Sequence, residues 1–177
     1  MLHLCCAPDG TVPWPALLDE GYEVTGHFYG SNLHPEEEYR LRTEAVNRLS
    51  AALGREVVRD AYDPEAWLAA VRGTEEEPEG GARCGICFRL QLEAAARAAV
   101  SRDCAWLCTT LTISPHKSPD RINRIGWEVA EAAGLAWVDR IFRKGEGFRR
   151  SVEACRRMGL YRQNYCGCRF SRREESR

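Results

Sequence analysis

Apolar positions along this chain follow two alternating rhythms. Short runs with a period of two or none are each followed by a longer stretch with a period near 3.6. MLHLCC reads as a short buried strand, and PWPALLDEG as a short helix that Gly21 can cap. EVTGHFYG alternates like a second strand. Pro35 then opens EEEYRLRTEAVNRLSAALG, a helix with acidic residues in its first turn, basic ones later and Gly54 at its end. EVVRDAY is a third strand, and a helix begins on Pro64 in PEAWLAAVRG. TEEEPEGGAR, residues 74–83, is a low-complexity loop leading into CGICF and the helix RLQLEAAARAAVSR. AWLCTTLTIS is the most strand-like segment. The loop PHKSP follows it, then the helix DRINRIGWEVAEAAG and a fifth strand, AWVDRIF. Residues 146–158 have a helical pattern, the tail YRQNYCGCRFSRREESR is irregular, and no internal repeat appears.

Five strands separated by helices predict an α/β fold with a mainly parallel five-stranded sheet flanked by helices. In such a sheet the loops after the strands share one edge. Here those loops carry the unusual residues: CCAPDG after the first strand, SNLHP after the second and SPHKSP after the fourth. That edge is the expected site. Neighbouring residues on a strand face opposite ways, so Cys5 and Cys6 share one environment only if the chain turns there, as Pro8, Asp9 and Gly10 predict.

Length and composition narrow the class. At 177 residues the chain fits one α/β domain, residues 1–177, with a tail from about residue 159 expected to fold back onto the site. No apolar run approaches the roughly 20 residues of a membrane span. MLHLCC has neither the basic flank nor the apolar length of a secretory signal, so the expected location is the cytoplasm. Nine cysteines then point to metal or thiol redox chemistry rather than disulfides. Charge is uneven. Residues 140–177 hold 12 Lys/Arg against 4 Asp/Glu, while residues 1–139 hold 13 against 22. A basic tail on an acidic body suggests a polyanionic partner, with a merely solvated face as the alternative.

Six of the thiols come as close pairs: Cys5 with Cys6, Cys84 with Cys87, and Cys166 with Cys168. CGIC alone is compatible with a redox dithiol or with half of a metal site. In CGC, Gly167 frees the backbone to aim both sulfurs at one centre. Six exceeds the four thiolates that a zinc ion or one iron–sulfur cluster takes, which suggests a second metal or a redox pair. Cys104, Cys108 and Cys155 sit among apolar residues and read as packing. Asp9 is either a turn residue or a hard oxygen donor beside soft thiolates, a mixed set that suits an iron binding a substrate oxygen. His34 and His116 lie in loops on the expected site edge, where phosphate contact or proton transfer is open to them.

HLCCAPD, FYGSNLHPEEEYRLR, CGICFRLQLEAAA, TTLTISPHKSPDRIN and YRQNYCGCRFS, in this order and over nearly the whole chain, resemble the cobalamin-independent epoxyqueuosine reductases of the QueH type. The resemblance implies a Rossmann-like fold related to the nucleotide alpha-hydrolases. It also implies reduction of epoxyqueuosine to queuosine at the wobble base of certain tRNAs, with a 4Fe–4S cluster, a probable mononuclear iron and no cobalamin. Carried over, Cys5, Cys6, Cys84, Cys87, Cys166 and Cys168 become the metal-site thiols. Many members read Cys-Cys-x-Pro-Cys where this chain has Asp9, which leaves a carboxylate ligand or no ligand there; FYGSN also replaces FYNPN. Opening an epoxide needs an acid, and Asp9, Tyr29, His34 and His116 are the candidates. Asn32, Lys117, Arg121, Arg169, Arg172 and Arg173 are the expected substrate or tRNA contacts, with Tyr161 and Tyr165 either stacking on anticodon bases or packing the tail. An electron donor is required and unidentified.

Three rival classes remain distinguishable. A tRNA-thiolating ATP pyrophosphatase needs SGGxDS after the first strand, and CCAPDG cannot build that cradle of backbone amides. A zinc-stabilised RNA-binding module explains the basic tail but not thiols beyond four. A thiol–disulfide oxidoreductase would use CGIC alone.

Overall fold

The computed structural model describes residues 1–171; Arg172 and Arg173 lie outside the described residues. Five strands form one sheet: β1 (Leu2–His3), β2 (Gly26–Phe28), β3 (Val57–Arg59), β4 (Trp106–Thr109) and β5 (Ala136–Trp137). Their order is β3-β2-β1-β4-β5 and every pairing is parallel. Strand order reverses between β1 and β4, so the loops leaving these two strands diverge and open a crevice at the sheet's carboxyl edge. The fold is therefore α/β and Rossmann-like.

Among the described residues seven α-helices flank the sheet: α1 (Ala7–Gly10), α2 (Pro13–Asp19), α3 (Glu36–Leu53), α4 (Pro64–Ala70), α5 (Ala82–Val100), α6 (Pro119–Ala132) and α7 (Gly147–Met158). Their ends follow local chemistry. Glu36, Glu37 and Glu38 open α3, and Gly54 closes it in a left-handed conformation. Asp63 accepts from the Ala66 amide at the start of α4, and Ser118 from the Arg121 amide at the start of α6. On one side of the sheet Leu2, Leu4, Trp14, Phe28, Val46 and Leu49 form a core with α1, α2 and α3. On the other, Leu92, Ala95, Leu107, Ile122, Ile125 and Trp137 pack α5 and α6. None of the helices among the described residues is long and apolar enough to cross a membrane.

Three elements differ from the sequence expectation, and all three border the crevice. CCAPDG is a one-turn helix rather than a plain turn: Cys6 is extended, and Pro8 lies in the first turn, where its missing N–H costs nothing. The run AWLCTTLTIS stops being a strand at Thr109, and Leu111–Ile113 forms a 3₁₀ turn. Threonine hydroxyls cause this. Thr109 Oγ1 accepts from the Leu111 amide, and Thr110 Oγ1 accepts from the Cys5 amide at 3.1 Å, replacing ladder bonds at the ends of both strands. Finally, α5 begins at Ala82, so CGIC occupies its first two turns rather than preceding it.

Candidate metal centre

The Thr110 contact fixes Cys5 at the mouth of the crevice. Cys5 packs toward α5 while Cys6 begins α1, and the two thiols stay within hydrogen-bond reach of each other. Cys5, Cys84, Cys87, Cys166 and Cys168 line one cavity together with Asn32, Trp67, Arg83, Phe88, Gln91, Leu111 and Lys117. Five of the six expected thiols thus converge from three distant parts of the chain. All nine cysteines are free.

Nitrogen donors are aimed at these sulfurs. Trp67 Nε1 donates to Cys87 Sγ at 3.4 Å and Gln91 Nε2 donates to the same sulfur at 3.1 Å. The Gly80 amide donates to Cys84 Sγ at 3.2 Å. Gln163 Nε2 donates to Cys6 Sγ at 3.0 Å on the far side. Such N–H···S contacts favour electron-rich sulfur and are a means of tuning metal–thiolate centres. With these donors in place, no three Cys, His, Asp or Glu side chains among the described residues already surround one point as metal ligands do.

Burial decides the protonation of the empty-handed thiols. It pushes Cys166 up to about 12 and Cys87 well above its ordinary value. Cys5 moves the other way, held down chiefly by its hydrogen bond with Cys6. The remaining protons leave readily only when a soft cation replaces them. Burial alone would lower Lys117, but Cys5, Cys166, Asp9 and Cys6 outweigh it and keep the ammonium charged. Five thiols, N–H donors to sulfur and the cations Lys117 and Arg83 form a donor set that fits a thiolate-bound iron–sulfur centre.

Asp9 lies apart from the five-thiol cavity, buried in α1 on the Cys6 side. Burial raises its carboxyl, an effect that Lys117 and a hydrogen bond with Cys6 oppose. Cys155, Arg162 and Arg42 also face this region. Cys6 and Asp9 therefore make a second, mixed thiol–carboxylate position beside the first.

The remaining expected residues are distributed unevenly. Asn32 and Lys117 line the cavity. Tyr29 is half-buried and packs near Trp67 and Cys87. His34 ties loops together: Nδ1 meets the Asn32 carbonyl at 3.2 Å, its amide donates to Gly167, and its carbonyl accepts from Tyr165. His34 Nε2 is buried with no hydrogen-bond partner among the described residues. His116 is exposed, as is Arg169. Arg121 donates to the Gly80 and Gly81 carbonyls and lies against Gly85, where a Cβ would come within 2.1 Å of Nη2. The hydroxyls of Tyr161 and Tyr165 bond Glu38 and the His34 carbonyl, fastening the tail to the body.

Sequence reasoning did not single out Arg42, Trp67, Arg83, Gln91, Arg143 or Gln163. Arg42 is almost wholly buried. Its Nε meets Glu38 at 2.6 Å, while Nη1 and Nη2 donate to the carbonyls of Cys166 and Tyr165. The one available signal was spacing: Glu38 and Arg42 are i,i+4 on a helix whose apolar face includes both.

A Rossmann-like sheet whose switch point is lined by cysteines defines an α/β protein with a thiol-rich site at the carboxyl edge of its strands. Comparison with known proteins gives the family: the model described as "Epoxyqueuosine reductase QueH" matches residues 1–174, and the chain belongs to that family of oxidoreductases. A Streptococcus pyogenes protein of that name is 38% identical over 177 residues, covering 97% of this chain and 69% of the relative. A Thermotoga maritima relative of the same name is 35% identical, covering 97% of this chain and 88% of its own. For the Haemophilus influenzae relative, also so named, identity is 35% with coverage of 100% and 73%.

Proposed function

We propose that this chain reduces epoxyqueuosine to queuosine in tRNA, as a single α/β unit working in the cytoplasm with its tail folded over the site. The observation that carries the reading is the convergence of Cys5, Cys84, Cys87, Cys166 and Cys168 on one cavity in a member of this family. These five thiols are the ligand pool for a 4Fe–4S cluster. Cys6 and Asp9 are the natural holders of a second iron beside it, since thiolate and carboxylate together suit iron that also meets an oxygen ligand.

Converting an epoxide to an alkene breaks both C–O bonds, consumes two electrons and two protons, and releases water. When bound, the centre supplies electrons one at a time and a Lewis-acidic position for oxygen. The chain's own residues do the rest. Trp67, Phe88 and Leu111 wall the cavity and exclude water, which strengthens every charge inside it. Lys117 places a positive charge where the departing oxygen becomes negative, and Asn32 offers an amide to orient the base. Burial raises both the Tyr29 phenol and the Asp9 carboxyl, which favours their protonated forms and makes them the candidate acids for that oxygen. His34 holds the β2 loop against the tail, and His116, Arg121, Arg169, Arg172 and Arg173 are the outer contacts for tRNA. Electrons come from a separate donor.

Anaerobic purification followed by iron, sulfide and spectral analysis tests the centre. Iron and sulfide are expected, with conversion of epoxyqueuosine-containing tRNA under a strong reductant and no added cobalamin. Zinc without iron, or turnover that needs only the CGIC thiols, would overturn the reading. Replacing Asp9 with Ala is expected to lower iron content below that of the wild type while the cluster absorbance persists.

A further inference from the structure

We propose that the exposed face of α7, carried by Arg150, Arg156 and Arg157, is a docking surface for the phosphate backbone of tRNA outside the anticodon loop. The inference rests on the reading of tRNA as substrate and adds a surface to it. Residues 140–162 hold eight Lys/Arg and only two acids, Glu146 and Glu153. Both acids are spent on one arginine: Arg149 meets Glu146 at 2.8 Å and Glu153 at 3.6 Å. Arg140 is paired with Glu20. On α7 itself that leaves Arg150, Arg156 and Arg157 exposed, with no acidic partner among the described residues. On α7 Arg156 faces away from the buried Ser151, Ala154 and Cys155, and Arg150 and Arg157 lie together along one flank of the exposed face.

This face is fixed relative to the site at both ends. Before α7, Arg143 Nη1 donates to the carbonyls of Ser114, Pro115 and Lys117, the loop that brings Lys117 into the cavity. After it, Gln163 reaches Cys6 and Tyr161 reaches Glu38. Between them, α7 packs against α1, the helix that carries Asp9. A rigid row of unpaired guanidinium groups therefore flanks the crevice on its α1 side. Nothing in the packing needs their charge. A polyanion that inserts one base into the crevice must lay its backbone across neighbouring surface, and this face is a positive part of it.

The test compares wild type with the triple variant Arg150→Gln/Arg156→Gln/Arg157→Gln in tRNA binding across a salt series. Arg55→Gln, at the opposite edge before β3, serves as a control. The log–log salt slope of the triple variant is expected to fall by about 2 to 3, with roughly tenfold or greater weakening near 0.1 M salt. Metal content and conversion of a short anticodon stem–loop should stay near wild type. The matching Arg→Lys triple variant should keep the slope, which guards against a folding artefact. If wild type binds with a steep slope and the Gln variant shares it, the surface is wrong while the substrate reading stands. If tRNA binding is unchanged but reduction by an acidic protein donor slows relative to a chemical reductant, the face belongs to that donor instead. A wild-type chain with no salt-dependent tRNA binding overturns the substrate reading and this surface with it.

Discussion

Arg42 joins the stability of this protein to its chemistry at a single side chain. Its guanidinium is balanced by Glu38 and spends its other two nitrogens on the backbone of the CxC segment. Arg42→Met strands a buried carboxylate, and breaking such a pair costs about 3–5 kcal/mol; urea unfolding should register most of that, and the added change Glu38→Gln should recover part. Arg42→Lys keeps the charge but loses the fork, so it should stay near wild-type stability while binding less iron. Neighbouring Gly167 has the same dependence: at φ 113° a Cβ would meet Leu33 and Arg42, so Gly167→Ala should also reduce iron content. A cysteine outside the site behaves differently. Cys108 is buried in β4 and burial raises its thiol to about 12, against about 9 when unfolded. The unfolded chain therefore loses this proton first as pH rises. Native stability from Cys108 is complete below about pH 9 and declines between 9 and 12, by up to about 1.4 kcal/mol per pH unit. Wild type should lose more urea resistance between pH 8 and 10.5 than Cys108→Ala does.

At the scale of elements, what was readable in the chain follows from what is local. Alternating runs marked all five strands, and capping residues marked the helices, because period and caps depend on near neighbours. The misread ends have non-local causes. AWLCTTLTIS looks like a long strand, yet the hydroxyl of Thr110 serves Cys5, more than a hundred residues away. The CGIC pair was recognisable as chemistry, but nothing in the sequence singles out its neighbours Trp67 and Gln91. Gln91 is one helical turn beyond Cys87, and its amide donates to both the Cys87 carbonyl and Cys87 Sγ. Hydrogen bonds to sulfur stabilise the more negative, reduced state of a thiolate-bound cluster. Gln91→Leu keeps the volume and apolar fit while deleting that bond, and Trp67→Phe does the same from α4. Both variants are expected to assemble the centre with a more negative reduction potential, measured by redox titration under anaerobic conditions. Unchanged potentials would make these contacts packing alone.

Across the whole molecule, arginines hold the site loops by their carbonyls. Arg83 Nη1 donates to Thr74, Glu75 and Glu77, gathering the low-complexity loop before α5. Arg121 holds Gly80 and Gly81, Arg143 holds the loop of Lys117, and Arg42 holds the tail. None of these partnerships is visible in sequence, since a backbone carbonyl has no residue signature and three of the four pairs are distant in the chain. Their shared consequence concerns metal removal. The two cores on either side of the sheet do not include the Cys84, Cys87, Cys166 and Cys168 cavity wall as a major part, so the α/β body should stay folded after chelation. The tail should stay docked as well, because Arg42, Tyr161 and Tyr165 hold it without any metal. Trypsin reads this directly at Arg162 and Arg169, where cleavage requires about ten residues to leave the surface together. Chelated wild type should be cut there only slowly, and chelated Arg42→Lys much faster, while metal-loaded forms of both resist. Equal cleavage of the two chelated proteins would mean that the metal, rather than the arginine, holds the CxC segment in place.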